Sequence, residues 1–125
     1  MRVRAYFDKI EKEVRTAKFL SSYNLTFEER PPCMGLIEGA LYFLDGAELH
    51  FTEFIDAETH IQKIKYSYHY MHKNRLVFRY DNASDPKARK LTTYPHHKHL
   101  GEKLLASQPP ELKEVLEEIT SFITL

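Results

Sequence analysis

"IEGALYFLDGAELHFTEF", residues 37–54, is two β-rich runs joined by Asp45-Gly46. That pair suits a two-residue type I′ turn, in which both central residues take positive φ. Such a turn fixes the register. Leu44 is then expected opposite Ala47, Tyr42 opposite Leu49, Ala40 opposite Phe51, and Glu38 opposite Glu53. Two carboxylates face to face are unfavourable. This register therefore calls for a positive charge between them, from a lysine of the next strand or a bound cation.

The next run, "HIQKIKYSYHY", alternates Ile64, Tyr66, Tyr68 and Tyr70 with Lys63, Lys65, Ser67 and His69. "RLVFRYD" alternates Leu76, Phe78 and Tyr80 with Val77, Arg79 and Asp81. The period of two is that of strands with one buried face. A three-residue loop, His72-Lys73-Asn74, brings the two aromatic sets to one face, with Lys65 opposite Asp81 and Ser67 opposite Arg79. The other face then carries Lys65, His69, Arg79 and Asp81.

Upstream, Tyr6, Phe7, Ile10, Val14 and Ala17 stand at helical spacing, which predicts a helix over about 3–19. "SYNLTFEER" (22–30) alternates as a strand and stops at Pro31-Pro32, where no ladder donor exists. Residues 82–108 read as irregular, with Pro86 and Pro95. In "SQPPELKEVLEEITSFITL" the stripe Leu112, Val115, Leu116, Ile119, Phe122 and Ile123 predicts a closing helix. The expected fold is one α+β domain over 1–125: an antiparallel meander of about five strands packed with an N-terminal and a C-terminal helix.

Composition narrows the function. Lys+Arg and Asp+Glu each number 18, so the net charge is zero, which argues against a general nucleic-acid binder. The charges are segregated, however. Residues 31–62 hold six acids and no Lys or Arg, while 63–103 hold ten basic residues, three acids and five of the seven histidines. That block presents either a positive face or charge pairs between neighbouring strands. With one cysteine, Cys33, no intrachain disulfide forms. The charged, amphipathic N-terminus is unlike a secretory signal, and no apolar run suits a membrane span. A cytoplasmic location without membrane attachment is expected.

Two places carry chemistry. In "TYPHHKHL" (93–100), His96, His97 and His99 surround Lys98. Two histidines with a carboxylate suit zinc or another divalent metal. The competing readings are a functional site without metal and a plain surface loop. On the strand pair, Lys65 and Arg79 suit an anionic phosphate and His69 a proton transfer near neutral pH. The tyrosines are either half-buried core or stacking surfaces for bases. No G-x-S-x-G, P-loop or G-x-G-x-x-G is present, so serine-hydrolase, NTPase and dinucleotide readings lack support.

The strings "YNLTFEER", "KYSYHYM", "FRYDNA" and "TYPHHKH", followed by "GEKLLASQPPELKEVLEEI", together resemble the TumE family over nearly the whole chain. The resemblance implies a small prokaryotic toxin, held inactive by a cognate antitoxin encoded beside it. The site candidates are the residues in or beside these strings. Lys65, His69, Arg79, Asp81, His97 and His99 are taken as catalytic, and Glu53, Tyr68, Asn82, His96 and Lys98 as substrate-binding.

The first expectation is RNA cleavage by acid–base chemistry without metal. Lys65 and Arg79 hold phosphate, His69 and a loop histidine move protons, and Glu53 or Asp81 orients them. The second is a metal-dependent hydrolase or nuclease, with His97 and His99 joined by Glu53 or Asp81 as ligands. The third is a toxin that acts by binding alone. Self-association is left open.

Overall fold

The computed structural model describes residues 2–125. Helix α1 (Val3–Arg15) is followed by strands β1 (Leu20–Arg30), β2 (Met34–Phe43), β3 (Glu48–Asp56), β4 (Gln62–His72) and β5 (Arg75–Asp81). A single 3₁₀ turn (Pro86–Ala88), β6 (His97–Leu100), β7 (Lys103–Ala106) and helix α2 (Leu112–Phe122) complete the chain. The strands lie in sequence order in one seven-stranded antiparallel sheet. This is the expected α+β meander with two strands added. β6 and β7 were hidden in the stretch read as irregular, because each has only four residues and histidine supplies the alternation of the first. Gly101, at φ 58, makes their turn.

Helix α1 stops at Arg15 rather than running on to 19. Thr16 donates through both its N–H and its hydroxyl to the carbonyl of Lys12, and Phe19 then turns the chain at φ 63.

The register around Asp45-Gly46 differs from the one expected. The loop has three residues, Leu44 to Gly46, closed by Phe43 N–H donating to the Ala47 carbonyl at 2.9 Å. Asp45 accepts from the Ala47 N–H at 3.0 Å, and only Gly46 takes positive φ, at 87°. The extra residue slips the pairing by one. Leu41 lies opposite Leu49, Gly39 opposite Phe51, Ile37 opposite Glu53, and Glu38 opposite Thr52. A one-residue slip changes which residues share a face, so Glu38 and Glu53 are on opposite faces and no carboxylate pair forms.

Two bulges set the next strands. Lys73 and Asn74, both at positive φ (52° and 61°), make a two-residue turn rather than a three-residue loop. That alone would put the aromatics of β4 and β5 on opposite faces. The irregularity after Tyr70 leaves Val77 unpaired and restores the parity: Tyr70 faces Phe78, His69 faces Arg79, and Ser67 faces Asp81. The second bulge leaves Ile64 unpaired, since Phe54 faces Lys65 but Ile55 faces Lys63. Ile64 is thereby exposed and Lys63 turned inward, the reverse of the alternation expected. Asn82 pins this bulge, accepting from Tyr66 N–H at 3.1 Å and donating to the Ile64 carbonyl at 3.0 Å.

One face of the sheet is apolar. Ile37, Leu41, Leu49, Phe51, Ile55, Tyr66, Tyr68, Tyr70 and Phe78 pack there against Tyr6, Ile10 and Val14 of α1 and Leu112, Val115 and Ile119 of α2. The backbone of β2 must come close to Phe51, as a Cβ on Gly39 would lie 2.3 Å from its ring. Within this core sits Glu53, fully buried. The Tyr6 hydroxyl donates to one carboxylate oxygen and Tyr68 to the other at 2.5 Å. Lys63 Nζ stands 3.8 Å from the carboxylate and donates at 2.5 Å to both the Tyr68 hydroxyl and the Pro110 carbonyl. Burial and the adjacent carboxylate push both tyrosines up, and burial lowers Lys63 despite Glu53.

Removing one partner of such a pair leaves the other charge buried and uncompensated. Glu53→Ala is expected to cost about 3–5 kcal/mol. Urea unfolding at neutral pH should show a lower midpoint at an unchanged slope, with Glu53→Gln intermediate. An unaltered midpoint for Glu53→Ala would show that the network contributes nothing.

Candidate functional site

Both helices pack on the same side of the sheet, so its second face is uncovered by helix. The register makes that face a grid. One line crosses six strands as Asn24, Ala40, His50, His69, Arg79 and His99. Its neighbour crosses as Thr26, Glu38, Thr52, Ser67, Asp81 and His97, and a third as Glu28, Leu36, Phe54 and Lys65. Strands lie about 4.8 Å apart, and residues two apart along a strand lie about 6.7 Å apart. His69 and His99 thus flank Arg79, roughly 10 Å from each other.

Arg79 organises the centre. Its Nε donates to Asp81 Oδ2 at 2.9 Å and its Nη2 to His99 Nε2 at 3.0 Å. Asp81 is buried, and its Oδ1 also accepts from Ala83 N–H at 3.0 Å. Beside it is His97, 1% exposed. His97 Nδ1 is held by the Pro95 carbonyl at 2.8 Å, so Nδ1 carries the proton and Nε2 presents its second position to Asp81 Oδ1 at 3.0 Å. That Nε2 makes no aligned hydrogen bond. The His97 and His99 rings meet edge to face at 5.0 Å. One ligand atom from each of Asp81, His97 and His99 falls within 4.8 Å of the others, a set able to receive a divalent ion.

Lys65, Ser67, His69, Arg79 and Asp81 line a groove of about 610 Å³, with Phe54 on its far wall. A second hollow of about 440 Å³, which includes His50, shares Thr52, Ser67 and His69 with it.

His69 and His99 are held below the ordinary value. For His69 the causes are burial, then the Arg79 and His50 charges. For His99 they are burial, then Arg79 and His97, opposed by Asp81 and Asp85. Both rings are therefore neutral near pH 7 in the free protein and able to accept a proton.

Of the sequence candidates, Lys65, His69, Arg79, Asp81, His97 and His99 share this face. Of the other five, only Asn82 borders the same groove. Tyr68 and Glu53 are fully buried on the helix side. His96 stacks on Tyr66 at 5.8 Å and meets its hydroxyl through Nδ1 at 2.9 Å. Lys98 reaches Glu118 of α2 at 2.6 Å and lies over the rings of Tyr80 and Phe78. Asn82 is committed to the backbone of β4.

The sequence reading missed His50, Phe54 and Arg30. His50 and Phe54 stand at alternate positions of "ELHFTEF", but only the correct register aligns them with His69 and Lys65.

The model of the family described as Toxin TumE matches residues 10–124. The chain belongs to the Toxin TumE family. No curated protein and no solved structure matches it. The match takes in every member of the TumE chain's open-face line, from Asn24 to His99. Among the described residues no helix is long and apolar enough to cross a membrane.

The causes of the histidine shifts are separable. Proton titration by NMR should give midpoints below 6.5 for His69, His96 and His99. Arg79→Gln should raise His69 and His99, which feel its charge. His96, lowered by burial and His97, should stay where it was. Equal movement of all three would show that Arg79 does not act locally.

Proposed function

We propose that the chain exerts its toxicity by cleaving RNA on the open face of the sheet, without a required metal, and that a cognate antitoxin silences it. The observation that carries this reading is the line His69–Arg79–His99, two titratable rings astride one fixed cation. Phosphodiester cleavage at a ribose needs a base, an acid and a cation in that arrangement. Lys65 lies farther along the same groove and suits a neighbouring phosphate.

In the proposed reaction neutral His69 takes the proton from the ribose 2′-hydroxyl. The 2′-oxygen bonds to phosphorus, and the bond from phosphorus to the 5′-oxygen breaks. His99 delivers a proton to that leaving oxygen. The products are a 2′,3′-cyclic phosphate and a 5′-hydroxyl end. His99 starts neutral because burial disfavours its charged form and Arg79 occupies its Nε2. An incoming phosphate draws the guanidinium away, and its negative charge favours protonation of the freed ring. Asp81 orients Arg79, and the Ala83 N–H holds Asp81.

A second reading has one observation in its favour, the unpaired Nε2 of His97 facing Asp81. With His99 these residues make a two-histidine, one-carboxylate set for zinc or a related ion. The ion would have to displace Arg79 from His99 Nε2. The first reading expects RNA cleavage to survive a chelator, and the second expects stoichiometric metal and loss of cleavage on chelation.

His69→Ala should lower the cleavage rate by about 10²–10⁴, the usual contribution of a positioned proton-transfer group. Circular dichroism should show an intact fold, since the residue lies on the open face. The dependence of kcat/KM on pH should be bell-shaped. Because both rings are lowered in the free protein, the optimum should fall below the ordinary histidine value of 6.5. Growth arrest by folded variants lacking both His69 and His99 would overturn catalysis in favour of binding alone.

A further inference from the structure

The open face is polar along β1, while β2 brings Leu36, Ala40 and Tyr42 to it. Along β3 its positions are Glu48, His50 and Thr52, and then Phe54 breaks the pattern. An aromatic ring on a face without helices has no core to join. Leu36 is opposite it on β2 and Lys65 opposite it on β4. The Arg30 guanidinium lies over the ring at 5.5 Å from its centroid. Phe54 and Arg30 line the same groove as His69 and Arg79. From Lys65 to His69 is four residues of strand, roughly 13 Å, so the ring is within one groove's length of the histidine line.

The β4 tyrosines that the sequence offered as stacking surfaces are spent elsewhere. Tyr66, Tyr68 and Tyr70 are each at most 3% exposed, on the helix side. Tyr42, another ring on this face, stands edge-on to His50 outside the groove, so stacking within the groove must come from Phe54 and the plane of Arg30. Rings and guanidinium planes stack on bases that are splayed out of a strand, while a duplex hides its base faces.

We infer that Phe54, covered by Arg30 and flanked by Lys65, is a subsite for an unpaired nucleobase, so that the substrate is single-stranded RNA. The inference rests on the RNA reading above and names the form of RNA that reading requires. Lys65 holds a phosphate of the same strand, and the next phosphodiester runs toward Arg79. Stacking tolerates any base, so the subsite selects for single strands rather than for a sequence.

The test uses the whole protein and a short fluorescein-labelled 2′-O-methyl oligoribonucleotide, which lacks the attacking hydroxyl and is not cleaved. Binding is read by anisotropy. Phe54→Leu should weaken it by about 5- to 100-fold, and Phe54→Tyr should restore it. Arg30→Gln, at an exposed position, should weaken it less. Unlabelled duplex RNA should compete poorly. A thermal melt by circular dichroism confirms that Phe54→Leu is folded, and Arg30→Gln gives an independent arm if it is not. In parallel, inorganic phosphate is titrated while the His69 and His99 ring signals are followed by NMR. Phosphate shifts retained in Phe54→Leu, together with weakened oligonucleotide binding, support the subsite. Oligonucleotide binding indifferent to Phe54 and Arg30, or equal competition by duplex, overturns it while the phosphate shifts keep the histidine centre. Absence of both phosphate shifts and oligonucleotide binding in the parent overturns the centre and the subsite together.

Discussion

A carboxylate buried in an apolar sheet face is the constraint from which the rest of the molecule follows. Glu53 takes hydroxyls from Tyr6 of α1 and Tyr68 of β4, and Lys63 carries the contact on to Pro110 just before α2. A buried ion pair yields little net stability against an apolar replacement, but its geometry must be satisfied in full or it is costly. That requirement locks both helices onto one face at fixed positions. The second face is left bare by the same act, so His69, Arg79 and His99 are partly exposed without any lid having to open.

The site depends on two single-residue irregularities. Without the unpaired Val77, β5 would be turned over, and Arg79 and Asp81 would point into the helices. Without the unpaired Ile64, Lys63 would face outward and Glu53 would have no cation near it. Bulges of this kind re-aim side chains, and they recur next to functional sites. Here one bulge supplies the core with its lysine and the other supplies the open face with its arginine. Asn82 holds the first of these in place, so a residue that reads as an ordinary turn former governs which way a strand faces.

Much of the architecture was legible because alternation is a strong signal in long strands. Tyr66, Tyr68, Tyr70 and Phe78 declared the buried face, and Leu112, Val115 and Ile119 declared the helix over it. What failed was counting residues in turns. Asp45-Gly46 serves a two-residue turn or the end of a three-residue one, and the choice rests on whether Phe43 pairs with Ala47. His50 was invisible for a separate reason, since it aligns with His69 through the β3–β4 pairing, whose register the connection 57–61 and the unpaired Ile64 set. The grouping of Arg79 with His99 was reachable only in part. A proton-transfer role shared by His69 and a loop histidine needs that loop beside β5, but the strand that carries it there is too short to see in the sequence.

The string "PHHKH" makes sense as two interleaved sets rather than one cluster. Side chains two apart share a face, so His97 and His99 join Asp81 and Arg79 while His96 and Lys98 look toward the helices. His96 is used on Tyr66, and Lys98 is used on Glu118, which also accepts from Tyr80 at 2.6 Å. The first set faces the side without helices; the second fastens β6 to the core and to α2. The two are coupled through the backbone of one four-residue strand. Any loosening of the Lys98–Glu118 contact shifts His97 and His99 as well, because a strand cannot turn one face without turning the other. The density of charged and aromatic residues in so short a segment is therefore a consequence of anchoring and chemistry being assigned to opposite sides of the same piece of chain.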